Sequence, residues 1–300
     1  MPPRPRMNPW QTFYWLQSRR SPWGSFGPKY LDQNLKAWGG PVEMVELEKR
    51  RSVATARLPS WCSREDGKPP LGALLAILDQ VSTFCGQAEF GEGGRAGLSV
   101  SLGGDVAPDA PFVEAGAPLA IETRLLKVGK TLGFLACDVR CGDTDALLLR
   151  GHHTKYLSID KRWDLFLHTP VRHLTLPTLA AYLRFWPHPT HSHVADATEA
   201  DVFDLRERDG AVELDVAKTH CNGLGSLHGG AACVAAELAA SRLRGNPAPA
   251  TSMHVSLMSS IVAGRTASMK LDWASPASAH VGVYDKRSGA LCYDARLGYS

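Results

Sequence analysis

Residues 225–240 read GSLHGGAACVAAELAA, with His228, Gly229 and Gly230 directly ahead of a run of small apolar residues broken once by Glu237. A helix that starts here has unpaired N–H groups and a partial positive charge at its head, and the glycines let another molecule come close to that backbone. Asn222 and Gly225 stand six and three residues before His228, and Glu237 stands nine after it. Earlier in the chain, Asp79 interrupts the apolar run LGALLAILDQVST at 71–83. A carboxylate there is costly to bury without a partner, so a functional acid is expected. The plainer alternatives are a helix entrance with a surface histidine and a hydrogen-bonded structural acid.

Three hundred residues at 44% hydrophobic composition bury one large core or two ordinary ones. A formal charge of +3 without long basic blocks argues against nucleic acid as a partner. No stretch reaches the roughly 18 apolar residues of a membrane span, so a soluble chain is expected. Seven cysteines, in patterns such as FLACDVRC, read as reduced thiols. Cys137 and Cys141 lack a second ligand pair and read as strand residues, and Cys221 reads as packing. His188, His191 and His193 cluster near prolines without an acid or cysteine at ligand spacing, so no metal and no cofactor is expected.

Residues 1–42 form a basic arm. Arg4, Arg6, Arg19, Arg20 and Lys29 precede the first acid, Asp32, and Trp10, Trp15, Trp23 and Trp38 accompany them. The basic, acid-free start is similar to a mitochondrial presequence, although Pro2, Pro3, Pro5 and Pro9 break the helix such a signal needs. Mitochondrial localisation is the expectation from it, cytoplasmic otherwise. Tryptophan and arginine anchor interfaces, so residues 1–38 are expected to hold a protein partner or a neighbouring subunit.

The body repeats a pattern. A strand at about 43–58, a helix from Leu71 to about Phe84 and four strands (GLSVSL, APLAIETRLLKV, TLGFLACDVRC, ALLLRGHHTKYLS) are followed by GAVELDVAK, a helix opened by His228, and four more strands. In the fourth strand, His152 and His153 should point one out and one in. The units run 43–159 and 205–300, with a linker at 160–204 whose LPTLAAYLRFW, 176–186, reads as a helix carrying the chain from one sheet to the next.

One long helix wrapped by an antiparallel sheet of about five strands resembles the hotdog fold, an α+β architecture, here twice in tandem as an intramolecular pseudo-dimer. GKTLGFLACDVRCGDTDALLLRGHHTKYL at 129–157 and the Asn-x-x-Gly-x-x-His-Gly-Gly pattern ending at Gly230 resemble the small acyl-CoA thioesterases of the phenylacetate-degradation and THEM type. The resemblance implies acyl thioester hydrolysis at sites shared between two units. Negative charge builds on the thioester carbonyl, so a helix N-terminus suits it, with a carboxylate as nucleophile or general base. One composite site would join Asn222, His228 and Gly229, with Gly225 and Gly230 against the substrate, to Asp79 and Ser99. The other would join Glu237 to the first unit's entrance, where Arg64, Pro70 and Leu71 replace the asparagine, the histidine and the first glycine; Pro70 has no N–H and no proton to move, so that site should be silent. A second class remains open: a hotdog protein without activity that serves as accessory or scaffold subunit, held by its arm.

Overall fold

The computed structural model describes residues 43–48, 50–58, 62, 69–90, 98–114, 116–157, 199–222, 225–245 and 248–300. The arm, most of the 160–204 linker with its helix, Arg64 and the three linker histidines lie outside them. Among the described residues, no helix is long and apolar enough to cross a membrane.

Strands β1 (Glu43–Glu48) and β2 (Arg51–Arg57) form a hairpin turned at Arg50, whose φ is 66°. Helix α1 (Leu71–Phe90) follows, then β3 (Leu98–Val106), β4 (Pro118–Val128), β5 (Leu132–Cys141) and β6 (Leu147–Tyr156). A one-turn helix at Glu199–Val202 leads to β7 (Leu205–Arg208) and β8 (Ala211–Asp215), helix α2 (Gly229–Arg244), and β9 (Ser252–Leu257), β10 (Thr266–Ser275), β11 (Ser278–Asp285) and β12 (Leu291–Gly298). The element order repeats, but each half opens on a hairpin where the sequence suggested one strand. The helix at 71 also runs about six residues further than expected, to Phe90.

A larger difference concerns the sheet. Among the described residues there is, instead of two sheets, one antiparallel sheet of twelve strands, in the order β1-β2-β4-β5-β6-β3-β9-β12-β11-β10-β8-β7. The halves fuse where β3 pairs with β9, Leu102 opposite Val255. Fusion satisfies the backbone groups that two separate sheet edges would leave open. The described chain is accordingly mostly sheet, with two long helices.

Both helices pack on the inner face, α1 over β2 to β6 and α2 over β8 and β10 to β12, and they also pack on each other. Alternation along β5, with Leu135, Cys137, Val139 and Cys141 buried, supplies the inner face. Helix α1 is buried from Leu71 through Val81 because sheet and second helix cover opposite sides. Helix α2 meets it along Gly230, Cys233, Val234 and Glu237, while Ala231, Ala232, Ala235, Ala236, Ala239 and Ala240 are buried elsewhere on the helix. Gly245, φ 60°, ends α2 in the left-handed region.

The tightest point of the crossing is Gly72, where an added Cβ would lie 2.8 Å from Val234 Cα and 2.9 Å from the Cys233 carbonyl oxygen. Those are backbone atoms and cannot swing aside. Gly72→Ala should therefore cost about 3 kcal/mol despite alanine's better helix propensity. Urea unfolding would measure it, and an unchanged midpoint would count against this close crossing.

Candidate active site between the two helices

The head of α2 faces the middle of α1. His228 is the N-cap residue, with extended backbone (φ −68°, ψ 142°), and its Nδ1 accepts a hydrogen bond from the Gly230 N–H at 3.1 Å. The same N–H reaches Asp79 Oδ2 at 3.0 Å, and His228 Nδ1 lies 3.3 Å from that oxygen. An Nδ1 that accepts carries no proton, which places the proton of neutral His228 on Nε2. Among the described residues, the N–H of Gly229 has no acceptor. A Cβ on Gly229 would sit 2.8 Å from Asp79 Oδ2, so the glycine makes room for the carboxylate.

The other oxygen, Oδ1, accepts from Ser99 Oγ at 3.1 Å and lies 3.4 Å from His153 Nε2. Ser99 owes its direction to a bulge between Ser99 and Ser101 in the pairing of β3 with β6. Leu102 points inward, and plain alternation would turn Ser99 outward; the extra residue turns it in. Behind Ser99 stand two residues that the sequence reading did not place in the site. His153 Nε2 is 2.9 Å from Ser99 Oγ, and Lys155 Nζ donates to it at 3.2 Å. Both are buried, and His153 Nδ1 meets Ser82 Oγ at 2.6 Å. His152 is exposed on the outer face, as the alternation required. The inward parity of 151, 153, 155 and 157 was the available signal for Lys155: a lysine in register with a buried histidine.

Asn222 and Gly225 lie in the loop ahead of His228. Asn222 Oδ1 accepts from the Ser226 N–H at 3.3 Å and from Ser226 Oγ at 3.2 Å. Gly225, φ 77°, supplies a turn that side-chain-bearing residues resist. Cys221 is buried, with its Sγ on the Ala217 carbonyl oxygen, a packing position.

The mirror position is built differently. Glu237 Oε2 accepts from the Gly72 N–H at 2.7 Å and Oε1 from the Leu71 N–H at 3.3 Å. Each helix thus offers its acid to the other's N-terminus, but the longer glutamate engages both of the first donors. Pro70 heads α1, its carbonyl accepting from the Ala73 and Leu74 N–H groups, and the Leu71 side chain is buried where Gly229 leaves space at the head of α2.

Burial alone would raise the Asp79 pKa; His228, then His153, Lys155 and the Gly230 N–H outweigh it and hold the carboxyl at about 2. Burial drives His153 down to about 3, helped by Lys155, and drives His228 down as well. Both rings are therefore uncharged at neutral pH, and there the groups that keep Asp79 ionised are the Lys155 ammonium and the Gly230 N–H. Burial also pushes Lys155 down, to about 8, with Asp79 pulling it back up.

These shifts give stability a sign. Below about 6.5 the unfolded chain takes up protons on histidine that the folded His153 and His228 refuse, so stability falls as pH drops towards 3, each such proton steepening the loss by about 1.4 kcal/mol per pH unit. Asp79 adds to the loss below about 4, because its folded pKa is depressed and its stabilising ionised form disappears as pH falls towards 2. Urea titrations at successive pH values should show unfolding free energy declining from pH 6.5, with a shallower decline in His153→Gln. A level profile from pH 7 to 4.5 would contradict this electrostatic account.

No family model matches the chain. Acyl-coenzyme A thioesterase 13 of Mus musculus is 26% identical over 116 residues, which span 39% of this chain and 79% of that protein. An acyl-ACP thioesterase from Bacteroides thetaiotaomicron matches 84% of this chain and 98% of its own at a TM-score of 0.53 and 10% identity. The 12:0-ACP thioesterase from Umbellularia californica matches 85% and 99% at 0.56 and 11%. The class follows: the chain has the hotdog-like fold of the thioesterases, with an antiparallel sheet and few helices.

Proposed function

We propose that this protein is an acyl-CoA thioesterase built from two hotdog units in tandem, with one working composite site between them. The observation that carries the reading is the unequal pair of helix entrances. At α2 the acid comes from the other unit, a histidine caps the helix, and the Gly229 N–H is left for a ligand. At α1 a proline replaces the histidine and Glu237 engages both first N–H groups.

In this reading the thioester carbonyl oxygen rests on the Gly229 N–H, the position where charge builds during attack. His228 and Asn222 orient the carbonyl or the incoming water, and Asp79 acts as nucleophile or as general base, with Ser99 fixing one of its oxygens. Gly230 departs from the role expected for it, since its N–H already holds Asp79 and His228. Gly225 supports the loop. The likeness to acyl-coenzyme A thioesterase 13 and to acyl-ACP thioesterases favours thioester substrates.

The test is thiol release by the full-length protein from acyl-CoAs of increasing chain length. Hydrolysis well above the uncatalysed rate for at least one chain length is the expected result. Absence of turnover with every acyl-CoA and acyl-ACP tried would overturn the proposal.

A further inference from the structure

We propose that Lys155 is a positioning residue of the Asp79 site: its buried ammonium fixes the direction in which hydrogen bonds run through Ser99 and balances the charge of the Asp79 carboxylate. This rests on the thioesterase reading and assigns a residue that the reading itself does not use.

Lys155 lies on β6 directly opposite Ser99 of β3 and is 2% exposed. An ammonium can only donate, an ionised carboxylate can only accept, and a hydroxyl has one proton and two lone pairs. Ser99 Oγ accepts from Lys155 Nζ and therefore gives its single proton to Asp79 Oδ1. Its remaining lone pair then requires His153 Nε2 to be the donor. The ring is uncharged, so Nδ1 is an acceptor and faces Ser82 Oγ at 2.6 Å, whose single proton it shares with the Leu78 carbonyl oxygen, also at 2.6 Å. The ammonium and the carboxylate thus set the orientation of Ser99 and His153, whose donors point towards Asp79.

The charge balance is equally specific. The titratable groups facing Lys155 are Asp79 from α1, His228 at the head of α2 and His153 on its own strand. Both imidazoles are neutral near pH 7, which leaves one buried cation against one buried anion. Removing the cation leaves Asp79 uncompensated in a dry site, the costly half of a broken pair. Ser99 is then free to turn its proton towards His153, which would deprive the carboxylate of a donor and misdirect the relay. A neutral lysine has the same consequence, so turnover should fail as the amine loses its proton.

The experiment follows acyl-CoA hydrolysis by full-length wild type, Lys155→Met and Lys155→Arg between pH 5.5 and 10. Lys155→Met should lower kcat about tenfold or more with KM little changed. The wild-type rate should fall along an alkaline limb near pH 8, and Lys155→Arg, permanently charged, should carry that limb out of range. A methionine variant with wild-type kcat, or an arginine variant that keeps the limb, overturns the inference. Should Lys155→Met fail to fold, the arginine variant and the wild-type profile still decide. If wild type hydrolyses nothing, the thioesterase reading fails separately, and carboxyl carbon NMR then tests Lys155 alone. The Asp79 pKa should rise by about one pH unit or more in Lys155→Met; an unchanged value overturns the inference.

Discussion

Asp79→Asn should lower acyl-CoA hydrolysis at least about 100-fold, the size of effect that follows loss of a catalytic group. The amide keeps the shape of the carboxyl but cannot serve as nucleophile or base. It also leaves Lys155 without its counter-charge, so unfolding must be measured alongside activity to separate the two losses. Glu237→Gln is the informative contrast. It should change kcat little, because Glu237 is held by the Leu71 and Gly72 N–H groups and faces an entrance headed by Pro70. Its cost should fall on stability, about 1–3 kcal/mol, since one amide oxygen cannot replace both carboxylate oxygens as acceptors and a buried N–H loses its partner. Equal loss of activity from the two substitutions would defeat the single-site account.

Gly229→Ala should abolish most of the activity while sparing the fold. The new methyl would lie 2.8 Å from Asp79 Oδ2 and 2.9 Å from Leu257 Cδ2, both the far ends of side chains. Those ends can shift where backbone cannot, which distinguishes this position from Gly72. The shift moves the carboxylate proposed to react and crowds the unpaired Gly229 N–H, and misplacement of a reacting group by about 1 Å costs on the order of 100-fold. Helix propensity at the same time favours alanine by up to about 1 kcal/mol. The expected result is an unfolding midpoint close to wild type with kcat down about 100-fold. Full activity in this variant would show that the Gly229 backbone takes no part in the reaction.

Much of this candidate site is legible in the amino-acid sequence. The spacing of Asn222, Gly225, His228, Gly229 and Gly230 marked a helix entrance, and Asp79 stood out as a charge in an apolar helix. The difference between the two entrances was legible at Pro70, which has no N–H and no ring proton. The element order could be followed as well, because periods of two and of 3.6 residues are local properties of the chain. The hairpin at the start of the second half was missed because β7 is only four residues long, and three of its four side chains are exposed.

What only the tertiary structure decided has one physical cause: it depends on pairing between residues far apart in sequence. Ser99 faces Asp79 because β3 slips by one residue against β6, and a bulge leaves no reliable mark on composition. Lys155 enters the site because that register sets it opposite Ser99, although a lysine in a strand ordinarily reads as a solvent-facing residue. The two halves share one sheet because the edges of β3 and β9 satisfy each other. Above all, the sequence determined that two acids stand nine residues after two helix entrances. Three-dimensional packing decided that the shorter acid leaves the Gly229 N–H open while the longer one closes both donors at Leu71 and Gly72, a difference of one methylene acting across the contact between two helices.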